Sequence, residues 1–382
     1  MRRILFVNDF AEMGGAEQAL AELVTGLDRR EFIPAVLLFE HGPLAEALAA
    51  KGIEVSAIPF PAEFLRLPMG AGILHSIRLL KSGLLVVCKI RAVVRKIEEA
   101  GCEVVVTNSL KALLITWTAL RFAGTRHQHI HYLHYMLPEQ KSAATRLISG
   151  LLSRTDCLVG NSQATLRRVR LHRDLRARTA VIRQGFDRIA PPGDAPPGPY
   201  WTIGSAGRLD PIKNYELIID AAKLIRARHP NLRIRLVGAA YTEADRRYED
   251  RLKKHNEQQG MQDIVTLGGF THDIWSFMDS LQVFMLCSYT ESFGRVLAEA
   301  MWSGKPIIAT RVGAVPEIVQ DGVTGYTVGT GDVPEAARLL ELLINNPEHG
   351  LQLGRAGRAY AEENLCYRSY IAAWEQCLRT CR

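Results

Sequence analysis

Two glutamates eight positions apart, Glu291 and Glu299, mark the stretch of this chain best suited to chemistry. An apolar run (Val283 to Leu286) leads into a loop with Glu291, Ser292 and Gly294, and then into a helical stretch that holds Glu299. Strand, small polar residues with a glycine, then helix is a local recipe for an anion site. The first N–H groups of a helix lack partners, and the helix dipole favours negative charge there. A carboxylate at the mouth of such a site cannot hold phosphate. It must address another part of the same ligand, and a sugar or ribose hydroxyl fits.

Gly207-Arg208 and Lys213-Asn214 put two cations before another predicted helix, where they could clamp a diphosphate. Asn214 is a candidate N-cap for that helix. Taken singly, each cation is equally well explained as a solvated surface charge. Near the N-terminus, Gly14 and Gly15 follow the first apolar run and precede a helical pattern. Such glycines allow a ligand close to the backbone; a tight turn is the plainer reading. In Arg126 to His134, strand periodicity puts His127, His129 and His131 on one face. No Asp, Glu or Cys is interleaved to complete a metal set, so an ordinary strand is preferred. His134 falls just past that strand's end, where open α/β sheets carry ligand groups.

The elements that must position these residues alternate regularly. Strands are predicted at 4–7, 35–39, 54–58, 103–107, 128–133 and 155–161, with helices at 16–27, 44–51, 110–122 and 163–170. Pro/Gly-rich residues 190–200 form the one clear break in composition. A second alternation follows, with strands at 201–206, 233–237, 264–267, 283–286 and 306–309 and helices at 215–228, 243–259 and 274–281. The pattern predicts an α/β chain of two Rossmann-like, doubly wound parallel-sheet domains with a ligand cleft between them. The expected division is 1–189 for the first domain, 190–200 for the linker and 201–359 for the second domain, with a final segment at 360–382.

With 47% hydrophobic and 23% charged residues, the 382-residue chain is that of a folded globular protein. Its formal charge of +7 points to an anionic partner or simply to solubility. No stacking-aromatic or zinc signature accompanies the charge, so nucleic acid is not expected. The seven cysteines are scattered without a C-x-x-C pair, which fits a reducing compartment. Only Ile4 to Val7 follow the Met-Arg-Arg start before polar residues, and no run of about 18 apolar residues occurs. A cytoplasmic location is expected. The basic helix at 73–97 carries Leu74, Ile77, Leu84 and Leu85 among its lysines and arginines. That mixture suits peripheral contact with an anionic membrane, and equally suits packing against a neighbouring element.

Taken together, Gly14-Gly15, Gly207-Arg208, Lys213-Asn214, Glu291-Ser-Phe-Gly294 with Glu299, Gly304-Lys-Pro306, Glu317 and Gly322-x-x-Gly325 resemble the retaining GT-B glycosyltransferases of family 4. The resemblance runs over nearly the whole chain and is strongest from Trp201 to Thr327. It implies transfer of a sugar from a nucleotide-diphosphate sugar to an acceptor hydroxyl (glycan, lipid-linked or small molecule), without a metal or other cofactor. Cell-surface polysaccharide or glycolipid synthesis is the implied setting. By the same resemblance Arg208, Lys213 and the backbone around Ser292, Phe293 and Gly294 bind the donor diphosphate. Glu299 takes the ribose hydroxyls, Glu291 the donor sugar, and Gly14 and Gly15 the facing wall. His134 matches the family's histidine beside the transferred sugar, although Tyr135 stands where the family often has Asp, which keeps His131 as an alternative. The last helix of the family returns to the first domain, which residues 360–378 would do here. A nucleotide-sugar epimerase of the same build and a non-catalytic nucleotide-sugar binding module are the rival readings; only a transferase consumes an acceptor.

Overall fold

The structure is a computed structural model that describes residues 1–61, 65, 76–188 and 200–380. The chain divides into two compact units, Met1–Gln184 with Tyr370–Arg382, and Gly185–Ser369.

In the first unit strands β1 (Arg2–Asn8), β2 (Phe32–Leu38), β3 (Glu54–Ala57), β4 (Val104–Thr107), β5 (Gln128–Leu133), β6 (Cys157–Gly160) and β7 (Arg178–Val181) alternate with helices. Those helices are α1 (Gly15–Gly26), α2 (Pro43–Ala50), α3 (Ser76–Ala100), α4 (Leu110–Leu120), α5 (Ala143–Leu152) and α6 (Gln163–Arg170). The sheet order is β3-β2-β1-β4-β5-β6-β7, and every pairing is parallel. Ile4 to Val7 are all buried, as expected for a central strand covered on both faces by helices. The order reverses between β1 and β4, so the ends of these two strands open a crevice for polar residues. Helix α5 and strand β7 were not foreseen in the sequence pattern.

The second unit contains β8 (Trp201–Ala206), β9 (Leu232–Val237), β10 (Val265–Leu267), β11 (Val283–Leu286), β12 (Ile307–Thr310) and β13 (Tyr326–Val328). These pair in parallel in the order β10-β9-β8-β11-β12-β13. Its helices are α7 (Tyr215–Ile225), α8 (Glu243–Gln259), α9 (Ile274–Asp279), α10 (Arg295–Trp302), α11 (Val315–Ile318), α12 (Val333–Asn345) and α13 (Pro347–Asn364). One core lies on each face of the sheet, built around Ile218, Ile234 and Leu340 on one side and Phe284, Leu297 and Met301 on the other.

The expected single helical run over 360–378 is two helices, because α13 ends at Asn364 and α14 (Tyr367–Thr380) starts afresh. Leu365 and Cys366 make the break, and Leu365 is buried in the second unit, where its carbonyl accepts from Phe186 N–H. From Tyr370 onward α14 belongs to the first unit, where Trp374 and Leu378 are fully buried. The Pro/Gly-rich stretch at 190–199 lies outside the described residues, as do the side chains of Leu74, Ile77, Leu84 and Leu85 on which the membrane reading of 73–97 rested.

Candidate functional site

Strands β8 and β11 are neighbours, with Ile203 opposite Val283 and Gly204 opposite Phe284, so the loops leaving their carboxyl ends meet. Tyr289 N–H donates to Ile212 C=O at 2.8 Å and ties the two loops together. Lys213 Nζ then donates to Glu291 Oε2 at 2.8 Å, and Ser288 Oγ approaches the same oxygen at 3.4 Å. Both side chains of the ion pair are mostly buried, 18% and 11% exposed. The Glu291 backbone is fixed in turn, since its carbonyl accepts from Ala314 N–H. Gly313, at φ 51°, passes so close that an added Cβ would stand 1.9 Å from that carbonyl oxygen. The sequence reading missed Gly313; a glycine in the loop after β12, next to the same sheet end, was the available signal.

Arg208 is not a loose cation. Its guanidinium grips Asp245 in a two-pronged bond, Nε to Oδ2 and Nη2 to Oδ1, both at 2.9 Å. Burial by itself would raise the Asp245 carboxyl; the Arg208 fork and the bonds from Thr242 outweigh it and hold the pKa below the ordinary value. Asp245 also closes a capping box with Thr242 at the start of α8, so one carboxylate anchors both a helix and the site's arginine.

Asn214 occupies the N-cap position of α7, but its side chain makes no capping bond and its backbone is left-handed at φ 48°. The cap comes from across the unit instead. Tyr248 Oη accepts from Tyr215 N–H at 3.1 Å and donates to Glu216 Oε2. Gly294 starts α10 in the left-handed region at φ 83°, where a β-carbon is disfavoured. Phe293, expected at the donor, turns its side chain into the core at 3% exposure, so only its backbone can face a ligand. Glu299 is 6% exposed and accepts from Arg295 Nε at 2.9 Å, while the Arg295 guanidinium lies 4.3 Å from the Phe186 ring centre. Beyond the ends of β8, β9 and β10, a hollow of about 400 Å³ is lined by residues including Leu209, Gly238, Gly269 and Phe270.

The first unit gathers the other candidates into a hydrogen-bonded chain. His134 Nε2 donates to Asn108 Oδ1 at 2.6 Å, and Asn108 Nδ2 reaches Asn8 Oδ1 at 3.4 Å. Asn8 Nδ2 donates to Glu17 Oε1 at 3.3 Å, within the helix that Gly14 caps and Gly15 begins. Asn8 ends β1 and Asn108 follows β4, so the chain bridges the two strands at which the sheet order reverses. The sequence reading passed over both asparagines, although a buried-strand pattern ending in Asn was visible twice.

His131 is fully buried and has both ring nitrogens engaged, Nδ1 with Thr107 Oγ1 at 2.9 Å and Nε2 with Tyr135 Oη at 3.1 Å. His129 Nε2 shares the same threonine oxygen at 3.0 Å, while His127 Nδ1 bonds the Cys102 carbonyl. The strand histidines are thus spent on internal bonds, and among the described residues no group of three metal-ligating side chains forms. Burial lowers the pKa of His129 to about 4 and of His134 to about 3, and pushes His131 down as well. It raises Asp9 and Glu17 above the ordinary carboxyl range. Asp9 Oδ1 is buried with no hydrogen-bond partner among the described residues.

Comparison with known proteins places this arrangement. Residues 13–188 match the family Glycosyltransferase Family 4, and residues 190–360 match Glycosyl transferases group 1. A D-inositol 3-phosphate glycosyltransferase of Arthrobacter sp. (strain FB24) is 32% identical over 182 residues, 45% of this chain and 42% of its own length. The enzyme of that name from Streptomyces avermitilis is 27% identical over 283 residues, 65% of this chain and 59% of its own length. These matches cover less than two thirds of either relative. HepE of Anabaena, solved in complex with UDP and glucose, has the same fold across 100% of both chains, with a TM-score of 0.84 and 24% identity. The two parallel sheets and the two family matches together assign the chain to family 4 (group 1) of the glycosyltransferases, the retaining family built on the GT-B fold.

Proposed function

We propose that this protein transfers a hexose from a nucleotide-diphosphate sugar to an acceptor hydroxyl with retention of configuration. The bond from the anomeric carbon to the diphosphate breaks, and a bond from that carbon to the acceptor oxygen forms on the same face. The acceptor's proton leaves with the departing phosphate oxygen. Negative charge therefore develops on the leaving diphosphate, and the reaction needs fixed positive charge around it. The observation that carries this reading is the Lys213–Glu291 pair, held at 2.8 Å by two tied loops beside the left-handed start of α10.

In this reading Lys213, Arg208 and the backbone N–H groups from Ser292 to Gly294 bind the diphosphate without a metal ion. Glu291 keeps Lys213 in place and meets the sugar hydroxyls. Glu299, already aligned by Arg295, takes the ribose. The hollow beside Gly238 and Gly269 receives the base. His134 is preferred over His131 because it lies past the end of β5 and is half-buried, whereas His131 is fully buried within the strand. With its pKa near 3, His134 acts as a neutral imidazole that positions a hydroxyl, beside the backbone of Gly14 and Gly15. The acceptor is a hydroxyl of a glycan, a lipid-linked sugar or a small polyol, in cell-surface polysaccharide or glycolipid synthesis at the cytoplasmic face of the membrane.

The test is a thermal-shift series with UDP, GDP and ADP sugars, since a ligand of the folded state raises stability by mass action. UDP-glucose comes first, because HepE was solved with UDP and glucose. A stabilising donor is then offered with D-inositol 3-phosphate, simple glycosides and lipid-linked sugars, and the anomeric configuration of the product is read by NMR. Stabilisation by a donor with a retained product is expected. No stabilisation by any nucleotide sugar, or an inverted product, overturns the proposal.

A further inference from the structure

The chain's formal charge of +7 is concentrated in one place. Between Lys141 and Arg178 there are nine Lys and Arg against two Asp, so these 38 residues carry a net +7 and the remainder is neutral as a whole. They make up α5, β6, α6 and the start of β7, at the free edge of the first unit's sheet.

The fold gathers several of these charges. Arg176 N–H donates to Ser153 Oγ at 3.1 Å, and Ser153 Oγ reaches the Asp174 carbonyl at 3.4 Å, which pins the α6–β7 connection onto the end of α5. There the Arg173 guanidinium lies over Gly150, at 3.3 Å from where a β-carbon would sit. Arg170 Nη2 reaches across to Thr179 Oγ1 on the edge strand. Arg154 approaches the Trp117 ring at 5.8 Å, and Arg121 approaches it at 4.4 Å. Arg168 is neutralised by Glu139, and the exposed Asp156 and Asp174 offset part of the field. Arg146, Arg154, Arg170, Arg173, Arg176 and Arg178 have no carboxylate partner among the described residues. Elsewhere, other exposed arginines do, as Arg228, Arg246, Arg247, Arg338 and Arg379 illustrate.

Two large apolar side chains stand in this basic field, Leu147 at 65% and Leu171 at 56% exposure. We propose that the α5–α6–β7 edge of the N-terminal unit docks on an anionic lipid bilayer. Guanidinium groups without carboxylate partners pair with lipid phosphates, and exposed leucines among them enter the headgroup region. A polynucleotide would reward the charge but leave the two leucines in water. This surface is distinct from the helix at 73–97, and it does not depend on the glycosyl-transfer reading, because vesicle binding needs neither donor nor acceptor.

The experiment is co-sedimentation of the full chain with vesicles of phosphatidylcholine alone, or of phosphatidylcholine and phosphatidylglycerol in equal parts, at low and high salt. Binding to the anionic vesicles only, weakened by salt, is expected. The triple variant R170Q/R173Q/R176Q should lower the partition coefficient on the order of a hundredfold, at several-fold for each cation lost from an anionic surface. Arg146→Gln with Arg154→Gln, which leaves the α6–β7 connection untouched, should lower it in the same direction. Leu171→Gln should weaken binding at high salt, where the apolar part dominates. R338Q/R358Q in the other unit, matched in charge to the Arg146/Arg154 double variant, should bind as the wild type does, and unchanged circular dichroism checks that each variant is folded. Equal binding to both vesicle types, binding to neither, full binding by the triple variant, or preference for a DNA oligonucleotide over the vesicles would each overturn the proposal.

Discussion

Lys213 Nζ and Glu291 Oε2 are 2.8 Å apart although the residues are separated by 78 positions, and the contact exists because β8 and β11 are adjacent strands. With little solvent on either side chain, each charge depends on the other. A double-mutant cycle with Lys213→Met and Glu291→Gln should return a coupling of about 1–3 kcal/mol in urea unfolding. Donor binding should separate the two. Lys213→Met loses a charge-assisted bond to phosphate and should weaken a stabilising nucleotide sugar about tenfold to a hundredfold. Glu291→Gln should bind the free nucleotide diphosphate nearly as well as the wild type while slowing transfer. Equal loss of nucleotide affinity in both variants would count against the division of roles.

Gly313 sets the path of the Glu291 loop. Gly313→Ala combines a left-handed backbone with a β-carbon 1.9 Å from the Glu291 carbonyl oxygen. Gly331→Ala is the matched control, with φ 77° and nothing within 4 Å of the added carbon. The control should cost about 1–2 kcal/mol from backbone conformation alone. Gly313→Ala should cost clearly more in the same unfolding measurement and should raise the KM for donor. Equal costs would mean that the loop yields freely and does not hold Glu291.

Why some of this was legible in the sequence and some was not follows from range. Strands β8 and β11 and helices α6 and α8 were readable to the residue because the Pro/Gly-rich break before β8, the uninterrupted apolar run of β11 and the cap residues of the helices are local signals. Lys213 and Glu291 stood out by residue type and by their place after predicted strands. Their pairing was not readable, because it depends on which strands lie side by side. Tyr248 capping α7 in place of Asn214, Asp245 gripping Arg208, and Arg295 aligning Glu299 are likewise contacts in which a local candidate lost to, or needed, a partner supplied by packing. The short strand β13 and helix α11 carry too few residues for a periodic signal.

Ionisable groups of the first unit pull stability in opposite directions with pH. His129 and His134 have folded pKa values of about 4 and 3 against an ordinary 6.5, so the unfolded chain takes up protons first as pH falls. Their contribution is intact above 6.5 and is lost as pH falls from 6.5 toward about 4 for His129 and about 3 for His134. Asp9 behaves oppositely. Its folded pKa is raised by burial above the ordinary 3.8, so the unfolded chain loses its proton first and stability declines as pH rises above 3.8. Asp9→Asn should therefore raise the melting temperature at neutral pH, and the gain should shrink as pH approaches 3.8. A gain that does not vary with pH would show that the carboxyl is already ionised in the folded protein.

Trp374 reaches the candidate histidine through a stack of rings. Its indole lies 4.8 Å from the Tyr132 ring in an edge-on contact, and Tyr132 lies 3.7 Å from the His134 ring, centre to centre. Trp374 is fully buried, and Tyr370 Oη on the same helix donates to the Ala19 carbonyl on α1 at 3.3 Å. The C-terminal helix thus fills the core of the N-terminal unit directly behind the His134–Asn108 pair. Trp374→Ala should cost about 3–5 kcal/mol, the range for emptying an aromatic site in a core. If His134 positions a hydroxyl, the milder Trp374→Phe, assayed well below its melting temperature, should lower kcat for transfer while leaving affinity for the nucleotide unchanged. Retention of full kcat by Trp374→Phe, together with loss of activity in His134→Gln, would separate the histidine's role from the support behind it.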